Sequence, residues 1–317
     1  MTPLPILTLT LNPALDVATS APGVVAGPKL RCTAPRVDPG GGGINVARAV
    51  RRLGGEALAL VALGGATGAR LAEALRAEGV RYSAFEAPGE TRQSLAVRDE
   101  TSGAQYRFVL PGPDWGAADA ARALEEVRRI TPEGALVVLS GSQPPGLPDR
   151  FAADLRAALP GSARLVLDTS GAALRAVVRA PVPGLAVLRM DDAEAEDLAG
   201  HRFADRAESA AYAAALVAQG VAETVILARG AEGSVLADRQ GKLFAPAPRV
   251  QVISAVGAGD SFVGALVLTL AQGGGREAAL AHAVATAAAT CLTPATDMGR
   301  PEDVARFLPL CAPEVLA

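Results

Sequence analysis

The chain has 317 residues, 50% hydrophobic and 20% charged, which excludes a disordered polymer and suits one large α/β domain. A net charge of −3 with no broad basic face argues against nucleic acid as a partner, and the scattered Cys32, Cys291 and Cys311 argue against a disulfide framework or zinc site. His201 and His282 are the only histidines, the chain opens without an export-type segment, and no apolar run is long enough to span a bilayer; the expected setting is a cytoplasm without membrane contact.

In chain order, residues 6–11 read as a buried strand ending at Asn12-Pro13-Ala14-Leu15-Asp16. Asn12 and Asp16 then stand at the strand's carboxyl end, the edge where open α/β sheets bind ligands, unless this is simply a polar turn. Residues 17–38 carry prolines without helical periodicity and predict short strands and loops outside the main sheet. Lys29 and Arg31 share one face if that piece is extended; they meet either a phosphorylated substrate or solvent. The run Gly40-Gly41-Gly42-Gly43 is costly to order, which points to backbone lying close to a ligand or another element. A helix is predicted over 44–53, closed by Gly54-Gly55.

A strand at 57–63, a helix at 68–78 and an extended piece at 82–85 follow, then a hairpin of 92–98 with 104–110 that Arg92 begins. With 17–38, this hairpin predicts a small β-layer over one edge of a single domain spanning residues 1–317. Its exposed apolar residues would suit pairing two subunits. From residue 117 onward, helices at 117–130, 149–159, 171–179 and 205–219 alternate with strands at 135–139, 165–167, 185–188 and 224–228. That alternation predicts a mostly parallel sheet with helices on both faces, a three-layer α/β/α fold with a β-sheet lid. Ser142, Asp168, Asp191 and Arg229 gather at the strand ends. A hairpin of 234–236 with 242–245, an extended segment at 250–253, and helices at 261–270, 275–293 and from 301 complete the chain.

Between that extended segment and the 261–270 helix lies Ala255-Val256-Gly257-Ala258-Gly259-Asp260-Ser261. A glycine turn into a helix exposes backbone amides to an anion, and a carboxylate beside such a cradle suits proton abstraction during phosphoryl transfer. The alternative is an ordinary aspartate capping a helix. No glycine turn in the chain fits G-x-G-x-x-G or G-x-x-x-x-G-K-[ST], and the first strand runs into Asn12-Pro13, so a dinucleotide-dependent oxidoreductase and a P-loop enzyme are unsupported.

Five stretches, in order, resemble the ribokinase-like carbohydrate kinases, the phosphofructokinase-B family: Thr10 to Asp16, the glycine run into Ile44-Asn45, Ser140-Gly141-Ser142 with Pro144-Pro145-Gly146, Leu167 to Gly171, and Gly257 to Ser261. Within it, Lys29 to Pro35, the four-glycine run into Asn45-Val46-Ala47-Arg48 and Gln105 to Val109 are most similar to the minor, B-type 6-phosphofructokinase branch. Relatives acting on fructose 1-phosphate or tagatose 6-phosphate commonly carry lysine where this chain has Gly42.

The resemblance implies ATP-dependent phosphorylation of a phosphoketohexose, most simply fructose 6-phosphate. Asp260 would be the base, and the Gly257, Ala258 and Gly259 amides the anion hole. Asp16, Gly41 and Asn45 would hold sugar hydroxyls, while Lys29, Arg31, Arg92 and Ser142 would bind the sugar's phosphate. Arg189, Asp191, Ala228, Arg229, Gly230 and Gly233 would fall on the nucleotide side. Mg²⁺ would come with ATP, near Glu194, and K⁺ would sit near Ser254 and Val256. The chain departs from the family pattern where Arg189-Met190-Asp191-Asp192-Ala193-Glu194 replaces Lys-Pro-Asn-x-x-Glu and where Ala228-Arg229-Gly230 replaces Ser-Leu-Gly. These departures leave the donor in question and motivate a rival reading, a sugar-phosphate-binding protein with weak or no kinase activity.

Overall fold

The computed structural model describes residues 2–316. Its main sheet begins with β1 (Ile6–Thr10), β4 (Leu58–Leu63) and β5 (Tyr82–Glu86) and continues through β8 (Leu136–Ser140), β9 (Arg164–Asp168), β10 (Leu185–Asp191) and β11 (Thr224–Ala228). These seven strands are all parallel, in the order β11-β10-β9-β8-β1-β4-β5. An antiparallel tail of β12 (Gly233–Asp238), β13 (Gly241–Pro246) and β14 (Glu314–Leu316) extends the β11 edge.

Side chains alternate across this sheet and divide the core in two. Leu7, Leu9, Val137, Leu139, Leu165 and Leu167 face one layer, formed by α3 (Ala117–Ile130), α4 (Phe151–Ala158), α5 (Gly171–Arg179), α6 (Asp192–Ala199) and α7 (Arg206–Ala218). Ile6, Leu136, Val138 and Val166 face the other, formed by α1 (Gly42–Arg52), α2 (Gly65–Ala77), α8 (Ala258–Ala271), α9 (Arg276–Thr290) and α10 (Pro301–Phe307). This is the three-layer arrangement expected for a parallel sheet whose strands are buried on both faces.

A second, four-stranded sheet forms the lid. It contains β2 (Ala14–Ala21), β3 (Arg36–Gly40), β6 (Arg92–Asp99) and β7 (Gln105–Val109), in the order β3-β2-β6-β7. The lid residues Leu95, Tyr106, Phe108 and Val109, and Leu110 just past β7, are exposed. Among the described residues, no helix is long and apolar enough to cross a membrane.

Four local expectations change. Residues 22–35 form no strand, so Lys29 and Arg31 do not share a strand face; both are exposed. Residues 250–253 also form no strand, despite their β-branched composition: no neighbouring strand pairs with them, and Gln251, Val252 and Ile253 are exposed. The glycine turn before Asp260 is therefore entered from a loop, anchored where the Ile253 amide donates to the Cys291 carbonyl at 2.8 Å. Helix α6 and strand β14 were not anticipated. The first is one of the chain's short helices, recognisable from its N-cap at Asp191; the second is three residues long.

Glycine packing sets how the site-bearing helices meet. A methyl group at Gly264 would lie 2.7 Å from the Ala49 Cβ and 3.0 Å from the Val46 carbonyl oxygen, so α1 and α8 approach as closely as backbone permits. Gly264→Ala should separate these helices and cost about 1–3 kcal/mol, as overpacking of a tight core does. Urea denaturation would read this as a lowered midpoint with unchanged slope; an unchanged midpoint would contradict the packing described.

Candidate active site

The carboxyl ends of β1, β8, β9 and β10 and the amino ends of α1 and α8 converge at one place. Asp260 sits in the first turn of α8, after Gly257 turns the chain with φ +77°. Its Oδ2 accepts from Asn45 Nδ2 at 2.9 Å, and its Oδ1 lies 3.3 Å from the Ser140 hydroxyl. Ser140 Oγ is also 3.1 Å from Asp168 Oδ2. One hydroxyl proton cannot serve both acids at once. Burial, and then the negative charge of Asp168, push the Asp260 pKa up to about 6, while the bonds from Asn45 and Ser140 and the charge of Arg189 hold it down. A carboxylate poised there accepts a proton near neutral pH more readily than an exposed aspartate.

Asp168 is itself neutralised by Arg189, Nη1 to Oδ1 at 3.0 Å. Arg189 reaches past Gly259, where a Cβ would come within 3.1 Å of its guanidinium. A side chain there would press the cation away from the start of α8 by a few tenths of an ångström. The Arg189 Nε is buried without a hydrogen-bond partner, and the Gly259 and Asp260 amides, being in the first helical turn, have no intrahelical acceptor. The Ala258 amide is bonded, at 3.3 Å, to the Ala255 carbonyl. Donors without acceptors beside an acid make a place for an anion.

The opposite wall is made by the lid and the glycine run. A Cβ at Gly40 would strike the Asp16 carboxylate, one at Gly41 (φ +124°) would meet Thr10, and one at Gly42 would run into Ser140 and Gly141. The run therefore threads between the strand ends, and no side chain can project from Gly42. Burial raises the Asp16 pKa to about 6, opposed by the charges of Arg92 and Arg107. Among the described residues no donor bonds the Asp16 carboxylate, which leaves its oxygens open to hydroxyl groups. Arg92 anchors to the Asn12 carbonyl at 3.2 Å, and Asn12 Nδ2 donates to Ser142 Oγ, also at 3.2 Å.

Beside Gly259 opens a largely apolar cavity of about 540 Å³, lined by Arg189, Ala228, Gly230, Gly233, Ala255, Phe262 and Cys291 among others. An acid at an anion-binding helix start, with a polar pocket on one side and an apolar one on the other, is the layout of a phosphoryl-transfer site.

The chain matches the pfkB family carbohydrate kinase family over residues 11–303. It belongs to that family of carbohydrate kinases. The ATP-dependent 6-phosphofructokinase isozyme 2 of Mycobacterium tuberculosis is 38% identical over 308 residues, 97% of this chain and 90% of that protein. Two crystal structures of Escherichia coli phosphofructokinase-2 superpose closely. The complex with fructose-6-phosphate has a TM-score of 0.89 at 36% identity, covering 96% of this chain and 98% of that one. The complex with potassium has a TM-score of 0.91 at 37% identity, with the same coverage.

In this pfkB kinase the structure brings together Asp16, Gly41, Asn45, Arg92, Asp260 and the Gly257–Gly259 turn. Lys29 and Arg31 stay on the exposed 22–35 loop, outside the bonded cluster. Ser140 and Arg107 join the cluster without having been expected there, Arg107 through its charge on Asp16, and of the residues expected at the strand ends Asp168 bonds into it. Ser140 meets Asp260, while Ser142, expected at the sugar's phosphate, accepts from Asn12; Ser140 ends β8 and Ser142 lies past the turn at Gly141, whose φ is +101°. Arg107 could have been found from its alternation with Tyr106 and Phe108 on β7.

The departures from the family pattern acquire local explanations. Asp191 is the N-cap of α6: its Oδ1 accepts from the Glu194 amide and the Glu194 carboxylate accepts from the Asp191 amide, each at 2.9 Å. Arg229 is buried and turned away from the cavity. It bonds Ser209 and pairs with Glu232 at 3.0 Å, with Asp192 3.8 Å away. Neither Asp191 nor Arg229 lines the 540 Å³ cavity. Arg229→Ala should cost roughly 1–3 kcal/mol of stability, because it empties a buried pocket and strands Asp192. The KM for ATP should change by less than about threefold. Unfolding and steady-state assays would check both; intact stability with a large rise in KM would contradict this role.

Proposed function

We propose that this kinase transfers the γ-phosphoryl group of ATP to the C1 hydroxyl of fructose 6-phosphate, giving fructose 1,6-bisphosphate in the cytoplasm. The observation that carries the reading is Asp260, held by Asn45 and Ser140 at the open amino end of α8, with its pKa pushed up to about 6.

Asp16 and Asn45 hold the sugar hydroxyls, and Gly40 and Gly41 let the sugar approach the backbone. The sugar's own phosphate meets Arg92 and Arg107, with Lys29, Arg31 and Ser142 as further contacts. Asp260 removes the C1 hydroxyl proton as that oxygen attacks phosphorus. The Gly257 and Gly259 amides and the Arg189 guanidinium take up the charge that builds on the moving phosphoryl, joined by the Ala258 amide once it leaves the Ala255 carbonyl. Apolar walls at Phe262, Val252 and Ala288 receive the base of ATP.

Among the described residues no cluster of three or more His, Cys, Asp or Glu could cage a metal ion. That donor set fits Mg²⁺ arriving on ATP, which is held largely by phosphate oxygens and one or two carboxylates. Glu194 is the residue proposed to approach it. When bound, the ion neutralises the ATP phosphates. K⁺ is assigned to the loop at Ser254 and Val256, where the Ser254 hydroxyl donates to the Ala295 carbonyl at 2.9 Å and Ala295 is turned to φ +52°. The potassium complex of the Escherichia coli relative supports K⁺ as the cation. The exposed apolar lid residues support a homodimer formed through the lid.

1-Phosphofructokinase or tagatose-6-phosphate kinase is the second reading. Gly42 argues against it, because packing on Ser140 prevents any cation from projecting there. The binding-only reading loses its motive once Asp191 and Arg229 have structural partners. The test is kcat/KM for fructose 6-phosphate, fructose 1-phosphate and tagatose 6-phosphate. Fructose 6-phosphate should lead, and Asp260→Asn should lower kcat by about 10²- to 10⁴-fold with little change in KM. No turnover of any of the three with any nucleoside triphosphate would overturn the assignment.

A further inference from the structure

Behind the α1 wall of the active site lies a second cavity, of about 450 Å³. Five arginines line it, Arg36, Arg48, Arg51, Arg52 and Arg300, against two acids, Glu78 and Asp297. Arg36 is tied to Asp38 and Asp297, and Arg48 to Glu78. Among the described residues, Arg51 and Arg300 have no ion-pair or hydrogen-bond partner, and Arg52 faces Asp297 only at longer range. A concave site with an excess of guanidinium donors recognises phosphate. No aromatic ring lines the cavity, so nothing there would stack on a base.

The cavity touches the catalytic acid by two routes. Arg48 is buried, and its Nη1 donates to Asn45 Oδ1 and to the Thr296 carbonyl, each at 3.0 Å. Asn45 in turn donates to Asp260. On the other wall Met298 accepts from the Ser261 hydroxyl at 3.3 Å, and its Cε faces Gly257. An anion in the cavity competes with Asn45 and Glu78 for the Arg48 guanidinium, and so loosens the residue that holds the base.

We propose that this arginine-lined cavity binds a small phosphorylated metabolite without an aromatic base and lowers turnover through Arg48 and Asn45. The site is separate from the substrate and nucleotide pockets, and its occupancy does not depend on which sugar the kinase phosphorylates.

The test uses inorganic pyrophosphate as probe, titrated by calorimetry into the enzyme filled with fructose 6-phosphate and a non-hydrolysable ATP analogue. Binding is expected, weakened by more than about tenfold in both Arg51→Glu/Arg300→Glu and the milder Arg51→Gln/Arg300→Gln. Without pyrophosphate, kcat in these variants should match the parent, since neither arginine touches the Asp260 cluster. With it, the parent's kcat should fall at saturating substrates and the variants' should not. No binding to the filled enzyme, equal binding in the variants, or inhibition relieved by either substrate would each overturn the proposal. So would tighter binding of adenosine monophosphate than of pyrophosphate. If the kinase shows no activity at all, the binding comparison between parent and variants still decides.

Discussion

The hydrogen bond from Asn45 to Asp260 joins residues 215 positions apart and closes the active site. It exists only because the amino ends of α1 and α8 lie side by side, and they do so only because Gly264 lets the two helices touch through Ala49 and Val46. Glycines mark each helix start: a Cβ at Gly40, Gly41 or Gly42 would collide where α1 begins, and Gly257 takes a positive φ ahead of α8. The ordering cost of those glycines is offset by burial in the two apolar layers on either side of the sheet.

Charge is balanced around that bond with little to spare. Asp168 and Asp260 share one serine hydroxyl, and a single buried arginine, Arg189, neutralises the first while screening the second. The result is a carboxylate with its pKa pushed up to about 6 beside donors that lack acceptors, the condition that the proposed proton removal and phosphoryl stabilisation need. Arg48 extends the same network away from the substrate, linking Asn45 to Glu78 and to the loop that carries Thr296 and Met298.

Much of this is legible in the sequence. The strand–helix alternation after residue 117 encodes the parallel sheet, because strands buried on both faces must be apolar throughout while their connections must be helical. Asp260 and the glycine turns stood out because glycine and a helix-start acid have few purposes in combination. What stayed hidden depended on register and on partners distant in sequence. Ser140 is the last residue of β8 and Ser142 lies past the Gly141 turn, a difference that the Ser-Gly-Ser spacing does not show. Val250 to Ile253 look like a strand but have no neighbour to pair with, and β-propensity without a partner makes no strand. Arg229 read as an intruding cation because Ser209, its partner on α7, lies 20 residues away. Nor does spacing alone reveal that Arg36, Arg48, Arg51 and Arg300 meet in one cavity.

The central claim is that Asp260 is a base prepared by its surroundings before substrate arrives. Its ionisation can be followed directly by carboxyl-carbon NMR, assigned by difference against Asp260→Asn. In the substrate-free protein the signal should titrate near pH 6 rather than at the 3.8 of an unperturbed aspartate, since burial and Asp168 disfavour the charged form. In Asn45→Ala the midpoint should move higher still, because the lost hydrogen bond favoured the carboxylate. Titration at the ordinary aspartate value, or a midpoint indifferent to Asn45, would contradict the account.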